Sequence, residues 1–341
     1  MKSSVTLEDV AKKANVSRAT VSRVINTPDQ VSDEIREKTI KAIRELNYSP
    51  NRHARALTGQ QTKTIGLIFF EEINRLFATP FWGQVVNPIY EELSNAGFEV
   101  NLIAKGGMNL DNPGPQSIRL YADFLNSRNV DGFILMGQPN MEFEASFAHS
   151  HIPMVMFGSP HLPDSEIVHI DSDNEGGAIA AVEYLFQKGR RKIAVINGRM
   201  RIAAGPTRFN GYKLGLSKVG LDYDQNLVAY GDFEMASGRD AMAELLKREP
   251  KIDAVFVAND EMAQGAIETL REQNISIPQQ IAIVSFDNSV TSLQTEPKLT
   301  TISHDYDLIG KELVQALIKE LNGERPKSKL IPVHLIPRES A

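Results

Sequence analysis

The first fifty residues carry three short helical patterns of apolar residues. Thr6 precedes the first pattern, with an acidic residue three positions later, as in a capping box. Ser17 is placed to cap a second helix over residues 18–26, and Ser32 to cap a third helix that runs through Asn47. These patterns predict a bundle of three helices.

From Thr64 onward the pattern changes to short apolar runs that alternate with helical stretches. Alternation of this kind predicts βαβ units and a parallel sheet. The runs form two series, which indicates two doubly wound α/β subdomains. The expected strands lie in the segments TIGLIFF, FEVNLI, DGFILM, PMVMF, KIAVI, DAVFVA, IAIVSF and LIPVHLI.

Charge also divides the chain into a small first part and a large second part. The net charge is −6, yet residues 1–62 carry eleven Lys and Arg against seven Asp and Glu. A basic module of this size suits contact with DNA phosphates, while the acidic remainder discourages indiscriminate DNA binding. The excess of positive charge is also compatible with an ordinary solvated surface.

The outward positions of the second helix indicate what the small module binds. All of them are short or basic: Ser17, Arg18, Ala19, Thr20, Ser22 and Arg23. A helix with such a face fits a major groove roughly 12 Å wide, where Arg18 and Arg23 reach guanine edges or phosphates. A generic surface helix is the alternative interpretation.

Polar and aromatic residues follow several predicted strands of the body. They are Phe81, Trp82, Gln138, Arg208, Asn259 and Asp287. Ligands of doubly wound sheets bind beyond the carboxyl ends of the strands, so these residues predict a cleft between two subdomains. Aromatic faces stack on pyranose C–H surfaces and the polar groups bind hydroxyls, so the mixture suits a sugar. Asn259 can equally cap the helix that follows, and Asp287 can be a turn residue.

Several function classes lack their signatures in this chain. There is no cysteine and the seven histidines have no ligand spacing, so we expect no metal and no other cofactor. The glycines of NGRMRIAAGPTR match neither phosphate-binding motif and no nucleophile elbow occurs, so an enzyme is a minor alternative. No run of eighteen apolar residues and no signal-peptide core is present, so we expect a cytoplasmic protein without a membrane partner, not a periplasmic-type binding protein.

The segments VTLEDVAKKANVSRATVSRVIN and VSDEIREKTIKAIRELNYSPNRHARAL resemble the DNA-binding headpiece of the LacI/GalR repressor family. The resemblance implies a helix-turn-helix in which Arg18, Ala19 and Arg23 read the operator. It also implies a hinge helix in which Leu57 opens the central base step from the minor groove. Without the resemblance, Leu57 is better explained as an apolar linker residue. The implied DNA-binding residues are Thr6, Ser17, Arg18, Ala19, Thr20, Ser22, Arg23, Asn26, Asn51, Ala54 and Leu57.

The body resembles the same family through VHIDSDNEGGAIAAVEYLFQKGRRKIAVI, TRFNGY, VANDEMAQGAI, IAIVSFDN and PVHLIPRES. This implies a periplasmic-binding-protein-like α/β body of two doubly wound parallel-sheet subdomains. The implied effector-binding residues are Arg208, Asn259 and Asp287, with Phe81, Phe233 and Tyr306 as wall residues, and Trp82 and Gln138 are added from their places after predicted strands. The expected parts are a headpiece (1–50), a hinge helix and linker (51–62), and a body (63–341) with subdomains of approximately 63–166 plus 303–327 and 167–302 plus 328–341.

One position departs from the family pattern. Several sugar-responsive members end the strand PMVMF with an aspartate aimed at the ligand, whereas this chain has Gly158-Ser159-Pro160. The patterns PFW, G-x-P and I-D-x-D-N resemble the maltose-type regulators, which favours a glucose-based oligosaccharide as effector. His304, near Tyr306, can line the pocket or lie at the surface.

The resemblance implies a repressor of carbohydrate-utilisation genes. Its partners are then a pseudopalindromic double-stranded DNA operator, at which it joins the nucleoid, a sugar effector, and a second copy of the chain in a homodimer. Effector binding is expected to shift the population between two orientations of the subdomains and to lower operator affinity. The alternative is a carbon-catabolite regulator controlled by a phosphocarrier protein as co-repressor.

Overall fold

The structure is a computed structural model, and it divides into two compact units, Met1–Thr62 and Lys63–Ala341. The described residues are 5–48, 61–70, 73–104, 129–139, 141–147, 152–162 and 164–341. The predicted hinge helix and its residues Asn51, Ala54 and Leu57 lie outside them.

The first unit contains the three predicted helices. They are α1 (Leu7–Ala14), α2 (Arg18–Asn26) and α3 (Asp33–Leu46), with a 3₁₀ turn at Pro28–Gln30. Thr6 and Asp9 form a complete capping box at α1, and Ser17 Oγ accepts a hydrogen bond from Thr20 N at α2. These two predicted caps are confirmed. Ser32 occupies the predicted N-cap position of α3, but its side chain makes no cap hydrogen bond there.

The core of this unit is small. It consists of Val10, Ala11, Ala14, Val21 and Ala42. Because these side chains are short, the helices pack closely and the polar residues of α2 are left on the outside.

The second unit contains the alternating strands and helices that the apolar runs predicted. Its described strands are β1 (Thr64–Phe69), β2 (Glu99–Ala104), β3 (Gly132–Met136), β4 (Met154–Phe157), β5 (Val168–Ser172), β6 (Ile193–Asn197), β7 (Val228–Tyr230), β8 (Ala254–Val257), β9 (Ala282–Asp287), β10 (Thr300–Ser303), β11 (Lys329–Ile331) and β12 (His334–Ile336). Its described helices are α4 (Ile73–Ala78), α5 (Pro80–Asn95), α6 (Met141–Phe147), α7 (Asn174–Gln187), α8 (Ala204–Lys218), α9 (Met235–Arg248), α10 (Asp260–Glu272), α11 (Thr291–Gln294) and α12 (Tyr306–Leu321). No helix of the described ranges is long and apolar enough to cross a membrane.

The strands form two six-stranded sheets. The first has the order β11-β5-β4-β3-β1-β2 with parallel pairs throughout, and the second has the order β12-β10-β9-β8-β6-β7, in which only β12 is antiparallel to its neighbour. The inner strands are buried along their whole length because helices cover both faces, which explains their continuous apolar runs.

The chain crosses between the sheets three times: from β5 to α7, from β10 to α12, and from β11 to β12. The predicted boundaries at 166 and 327 were wrong, because β5 and β11 both belong to the first sheet. The segment LIPVHLI is divided between the two sheets at Pro332 and Val333 instead of forming one strand. A local apolar pattern does not show which sheet a strand joins.

The helices α7 and α8 pack against each other closely enough to set the position of Arg208. Gly211 of α8 lies against the backbone of α7, and a Cβ at Gly211 would overlap the carbonyl oxygen of Glu175. Arg208 lies one turn before Gly211, so this approach brings its side chain to Asn174 at the start of α7.

Candidate functional site

The start of α2 forms the candidate DNA-binding surface of the first unit. Ser17, Arg18, Ala19 and Arg23 are exposed, while Thr20 and Ser22 are half-buried. Arg18 is paired with Glu8, with Nε 3.5 Å from Oε2, and its side chain is still 70% exposed. An exposed pair of this kind is weak and is easily exchanged for a phosphate or a base.

Thr6 mainly caps the N-terminus of α1. Its hydroxyl donates to Asp9 Oδ2 at 2.7 Å and accepts from Asp9 N at 3.3 Å. The hydrogen bonds from Thr6 hold the pKa of Asp9 below its ordinary value. The DNA-binding role of Thr6 stays a prediction, as does that of Asn26, whose side chain lies outside the described residues.

A buried ion pair lies at the carboxyl end of β9 in the body. Arg208 Nη1 is 3.1 Å from Asp287 Oδ1, and each residue is only 4% exposed. Arg208 also donates from Nε to Asn174 Oδ1 at 2.8 Å and from Nη1 to the carbonyl oxygen of Ala258. Its guanidinium lies 3.7 Å from the centre of the Phe286 ring. Both residues were predicted from their places after strands. Asp287 does end β9, whereas Arg208 lies within α8, and the structure brings the two together.

Asp287 is bound from three sides. His304 Nε2 lies 3.1 Å from Asp287 Oδ1, and Tyr306 donates its hydroxyl to the Asp287 carbonyl at 2.7 Å. Burial raises the pKa of the Asp287 carboxyl, but the Arg208 charge and the hydrogen bond from His304 outweigh it and hold the pKa below its ordinary value. Asp287 also has a positive φ of 105°, as expected for a turn residue. The turn interpretation alone does not account for the contacts of its side chain with Arg208 and His304.

Aromatic side chains of the first subdomain lie beside this ion pair. The Phe81 ring centre is 5.3 Å from that of Trp82, 5.7 Å from that of His304 and 6.2 Å from that of Tyr306. His304 is buried, so it does not lie at the surface, which was one of the two positions that the sequence allowed for it. Phe81, Trp82 and Tyr306 form an aromatic wall, the name we use below.

Asn259 caps α10, as the alternative interpretation of its sequence position stated. Its Oδ1 accepts from Met262 N at 3.1 Å, and its Nδ2 donates to Phe233 O at 3.0 Å and to Glu261 Oε2 at 2.9 Å. Phe233 has φ of 73° and lies over Gly198. The ligand-binding roles of Asn259 and Phe233 stay predictions.

Besides Tyr306, the side chains of Gln138 and Gln84 reach from the first subdomain to the second. Gln138, which follows β3, accepts a hydrogen bond on Oε1 from Ala203 N at 2.6 Å. Gln84 of α5 donates from Nε2 to Asn288 O at 3.3 Å. These contacts hold the two sides of the cleft against each other in this structure.

An acidic side chain of the neighbouring strand β5 lies beside the segment that follows β4. Ser159 donates its hydroxyl to Asp171 Oδ2 at 2.8 Å, and Asp171 lies near the end of β5. Burial raises the pKa of this carboxyl. The pattern I-D-x-D-N contained the residue, but β5 was not predicted as a strand, so Asp171 and Asn174 were missed as site residues.

A groove of about 570 Å³ opens beside the aromatic wall. It is lined by α5, by the start of α12 and by His334, and it includes His304 and Tyr306. Arg208 and Asp287 do not line it. The ion pair is therefore enclosed in this arrangement of the subdomains.

Two family models match the chain. The first, described as bacterial regulatory proteins of the lacI family, matches residues 6–51, and the second, a periplasmic binding protein-like domain, matches residues 182–341. Over 344 residues the chain is 38% identical to the HTH-type transcriptional regulator CelR of Thermobifida fusca, and the alignment covers 98% of each chain.

The chain belongs to the LacI/GalR family of transcriptional regulators. It is also 33% identical over 341 residues to the HTH-type transcriptional repressor PurR of Klebsiella pneumoniae (strain 342), and this alignment covers 98% of this chain and 96% of the relative. Among solved structures it is similar to a CelR–cellobiose complex, with a TM-score of 0.76, 36% identity and coverage of 99% of this chain and 100% of that chain. The Lac repressor dimer bound to operator and the anti-inducer ONPF has a TM-score of 0.85, 28% identity and 99% coverage of both chains.

Family membership confirms the predicted class and fold. This LacI/GalR protein is a DNA-binding transcriptional repressor and not an enzyme, because its relatives are named regulators and repressors. The predicted combination of a helix-turn-helix headpiece with a periplasmic-binding-protein-like body is confirmed as well.

Two further acidic residues of this LacI/GalR protein are buried beside Asp287. Asp260 accepts hydrogen bonds from Ser285 Oγ at 2.5 Å and Thr301 Oγ1 at 2.8 Å, and burial raises its pKa. Burial, and then the Asp287 charge, raise the pKa of Glu261 from 4.5 to about 7. Between pH 4.5 and 7 the folded chain therefore holds a proton that the unfolded chain has already released.

The raised pKa of Glu261 predicts a pH-dependent stability. The contribution of this group is full below pH 4.5 and is lost as the pH rises towards 7, since only the folded chain stays protonated in that window. At about 1.4 kcal/mol per pKa unit, the loss is on the order of 3 kcal/mol. We expect Glu261→Gln to flatten the fall in unfolding free energy between pH 5 and 7, measured by urea unfolding. Glu272→Gln, on the exposed end of the same helix, is the control, and an unchanged slope in Glu261→Gln contradicts the assignment.

Proposed function

We propose that this repressor is released from its operator by a β-linked glucose disaccharide of the cellobiose type, bound between the two subdomains. The observation that carries the proposal is the Arg208–Asp287 pair beside the aromatic wall. A pyranose stacks its C–H face on aromatic rings, and its hydroxyls form directional hydrogen bonds with a guanidinium and a carboxylate.

The comparisons support cellobiose as the first sugar to test. The CelR structure that is 36% identical over 99% of this chain is a complex with cellobiose. A maltose-type oligosaccharide, which the sequence patterns favoured, stays a prediction and is the direct competitor. Cellobiose and maltose are both glucose disaccharides and differ in the geometry of their glycosidic linkage. An aromatic wall that fits one of them therefore leaves the hydroxyls of the other away from their hydrogen-bond partners.

Effector binding requires the cleft to open, because Arg208 and Asp287 are enclosed. The sugar then replaces contacts such as that of Gln138 with Ala203 and favours a different orientation of the subdomains. We infer that the chain acts as a homodimer on a pseudopalindromic operator, with α2 of each copy in a major groove. We infer that residues 51–62, where the sequence predicts a hinge helix and linker, transmit the change in subdomain orientation to the DNA-binding helices.

The test is operator binding by the full-length protein at fixed salt, with an operator selected from random duplexes. Cellobiose is expected to lower operator affinity about 5–150-fold, and maltose, lactose and glucose at the same concentration are expected to have little effect. Trp82 is the single tryptophan of the chain and lies in the aromatic wall, so its fluorescence reports sugar binding directly.

The panel also separates the alternatives. Release by maltose and not by cellobiose supports the prediction made from the sequence patterns. If no sugar changes either operator affinity or Trp82 fluorescence, the sugar-controlled model is wrong. A tight complex with a phosphocarrier protein that alters operator affinity then supports control by a protein co-repressor.

A further inference from the structure

Six buried residues form a closed ring of polar contacts in the body, which we call the crossover ring; five take part through their side chains, and Ser172 through both its hydroxyl and its backbone N–H. Its members are Asp171, Ser172, Asn174, Arg208, Asp287 and His304. Each of them is at most 8% exposed. Because buried polar groups need partners, each bond in such a ring constrains the next.

One half of the ring lies in the crossover from β5 to α7. Ser172 N donates to Asp171 Oδ1 at 2.8 Å, and Asn174 Nδ2 donates to the same oxygen at 3.2 Å. Asn174 Oδ1 in turn accepts from Arg208 Nε at 2.8 Å. The first crossover is thus joined to the arginine of the proposed sugar site.

The other half is joined by His304, which follows β10 in the second crossover. Its Nδ1 lies 2.6 Å from Ser172 Oγ, and its Nε2 lies 3.1 Å from Asp287 Oδ1. A carboxylate only accepts, so Nε2 carries a proton and donates to Asp287. In the neutral imidazole, Nδ1 then accepts from the Ser172 hydroxyl. His304 therefore connects both crossovers to the carboxylate of the proposed sugar site.

We propose that His304 is a positioning residue that couples the state of Asp287 to the orientation of the two subdomains through Ser172. A sugar hydroxyl that binds Asp287 or Arg208 competes with the contacts of the ring. His304 is then no longer held by Asp287, and its contact with Ser172, which joins the two crossovers, is expected to weaken. This inference rests on the proposed function for the identity of the ligand. The connection between the two crossovers is observed in the structure and is independent of that function.

The coupling is tested with variants that cut single bonds of the ring. Ser172→Ala removes the hydroxyl that binds His304. His304→Gln keeps a donor near the position of Nε2 and removes the contact at Nδ1, so the two variants are expected to behave alike. Ser159→Ala is the matched control, because Ser159 Oγ also donates to Asp171 but lies outside the ring.

The first measurement needs no sugar. In the full-length protein, hydrogen exchange is expected to accelerate at least about fivefold in Ser172→Ala at the amides of residues 304–309, in the second crossover, although the change lies in the first. Ser159→Ala is expected to leave these amides unchanged. Acceleration confined to the neighbours of Ser172, or equal acceleration in both variants, overturns the inference whether or not any sugar binds.

The second measurement compares operator affinity with and without saturating cellobiose. The ratio of the two affinities is expected to fall in Ser172→Ala and His304→Gln from about 5–150-fold towards unity, while cellobiose still changes Trp82 fluorescence. Ser159→Ala is expected to keep the ratio of the unmodified protein. An unchanged ratio in Ser172→Ala, with cellobiose bound, overturns the inference and leaves the proposed function intact. Absence of cellobiose binding to the unmodified protein contradicts the proposed function, and the exchange experiment then decides the inference alone.

Discussion

Arg208→Ala is expected to lower the free energy of unfolding by about 3–5 kcal/mol, because it leaves the Asp287 carboxylate buried without its positive partner. Arg208 is 4% exposed and also binds Asn174 and the carbonyl oxygen of Ala258, so these acceptors lose their donor as well. Urea unfolding of the full-length protein measures the loss. The variant is also expected to make operator binding indifferent to cellobiose.

Two further variants make this result specific. Adding Asp287→Asn to Arg208→Ala removes the uncompensated charge, so part of the stability is expected to return. Arg239→Ala removes an arginine whose pair with Glu268 lies at the surface, and the expected loss is far smaller. If Arg208→Ala and Arg239→Ala unfold at the same urea concentration, Arg208 does not neutralise a buried charge.

Arg23→Ala is expected to lower operator affinity by about 1–3 kcal/mol, with the loss concentrated at one base pair of each half-site. Arg23 lies on the exposed face of α2 and is long enough to form two hydrogen bonds with a guanine edge. Binding of the full-length protein to the selected operator and to all its single-base variants, at one salt concentration, measures both the loss and its position.

The control for this experiment is Lys41→Ala, which removes one positive charge from the exposed side of α3. Its effect is expected to be small and equal for all operator variants. A uniform loss in Arg23→Ala across the same variants shows that Arg23 contacts a phosphate, and base recognition then depends on Arg18.

The three helices of the headpiece could be predicted from the sequence. The start of α1 at Thr6 and the limits of α2 follow from capping residues and from a helical period of apolar positions, which are local properties. Ser32 is the exception, since its residue type suited a cap that its side chain does not form.

The body could be predicted only in part. Arg208 and Asp287 were found because they follow predicted elements, yet Ser172, Asn174 and their contacts with them were not. The strand β5 has polar residues at its end and its apolar run is short, so it gave no clear pattern. Residues that lie outside a predicted element cannot be placed at the edge of a sheet.

The sequence by itself determined the class of this protein: three helices, of which the second has short or basic outward residues, followed by two series of βα units. Such properties depend on the periodicity and residue type of neighbouring positions. The tertiary structure decided which sheet β5 and β11 join, and it brought Ser172 within 2.6 Å of His304, 132 positions later in the chain. Contacts of this kind arise because a parallel sheet gathers the ends of distant strands at one edge, and no local pattern encodes which ends meet.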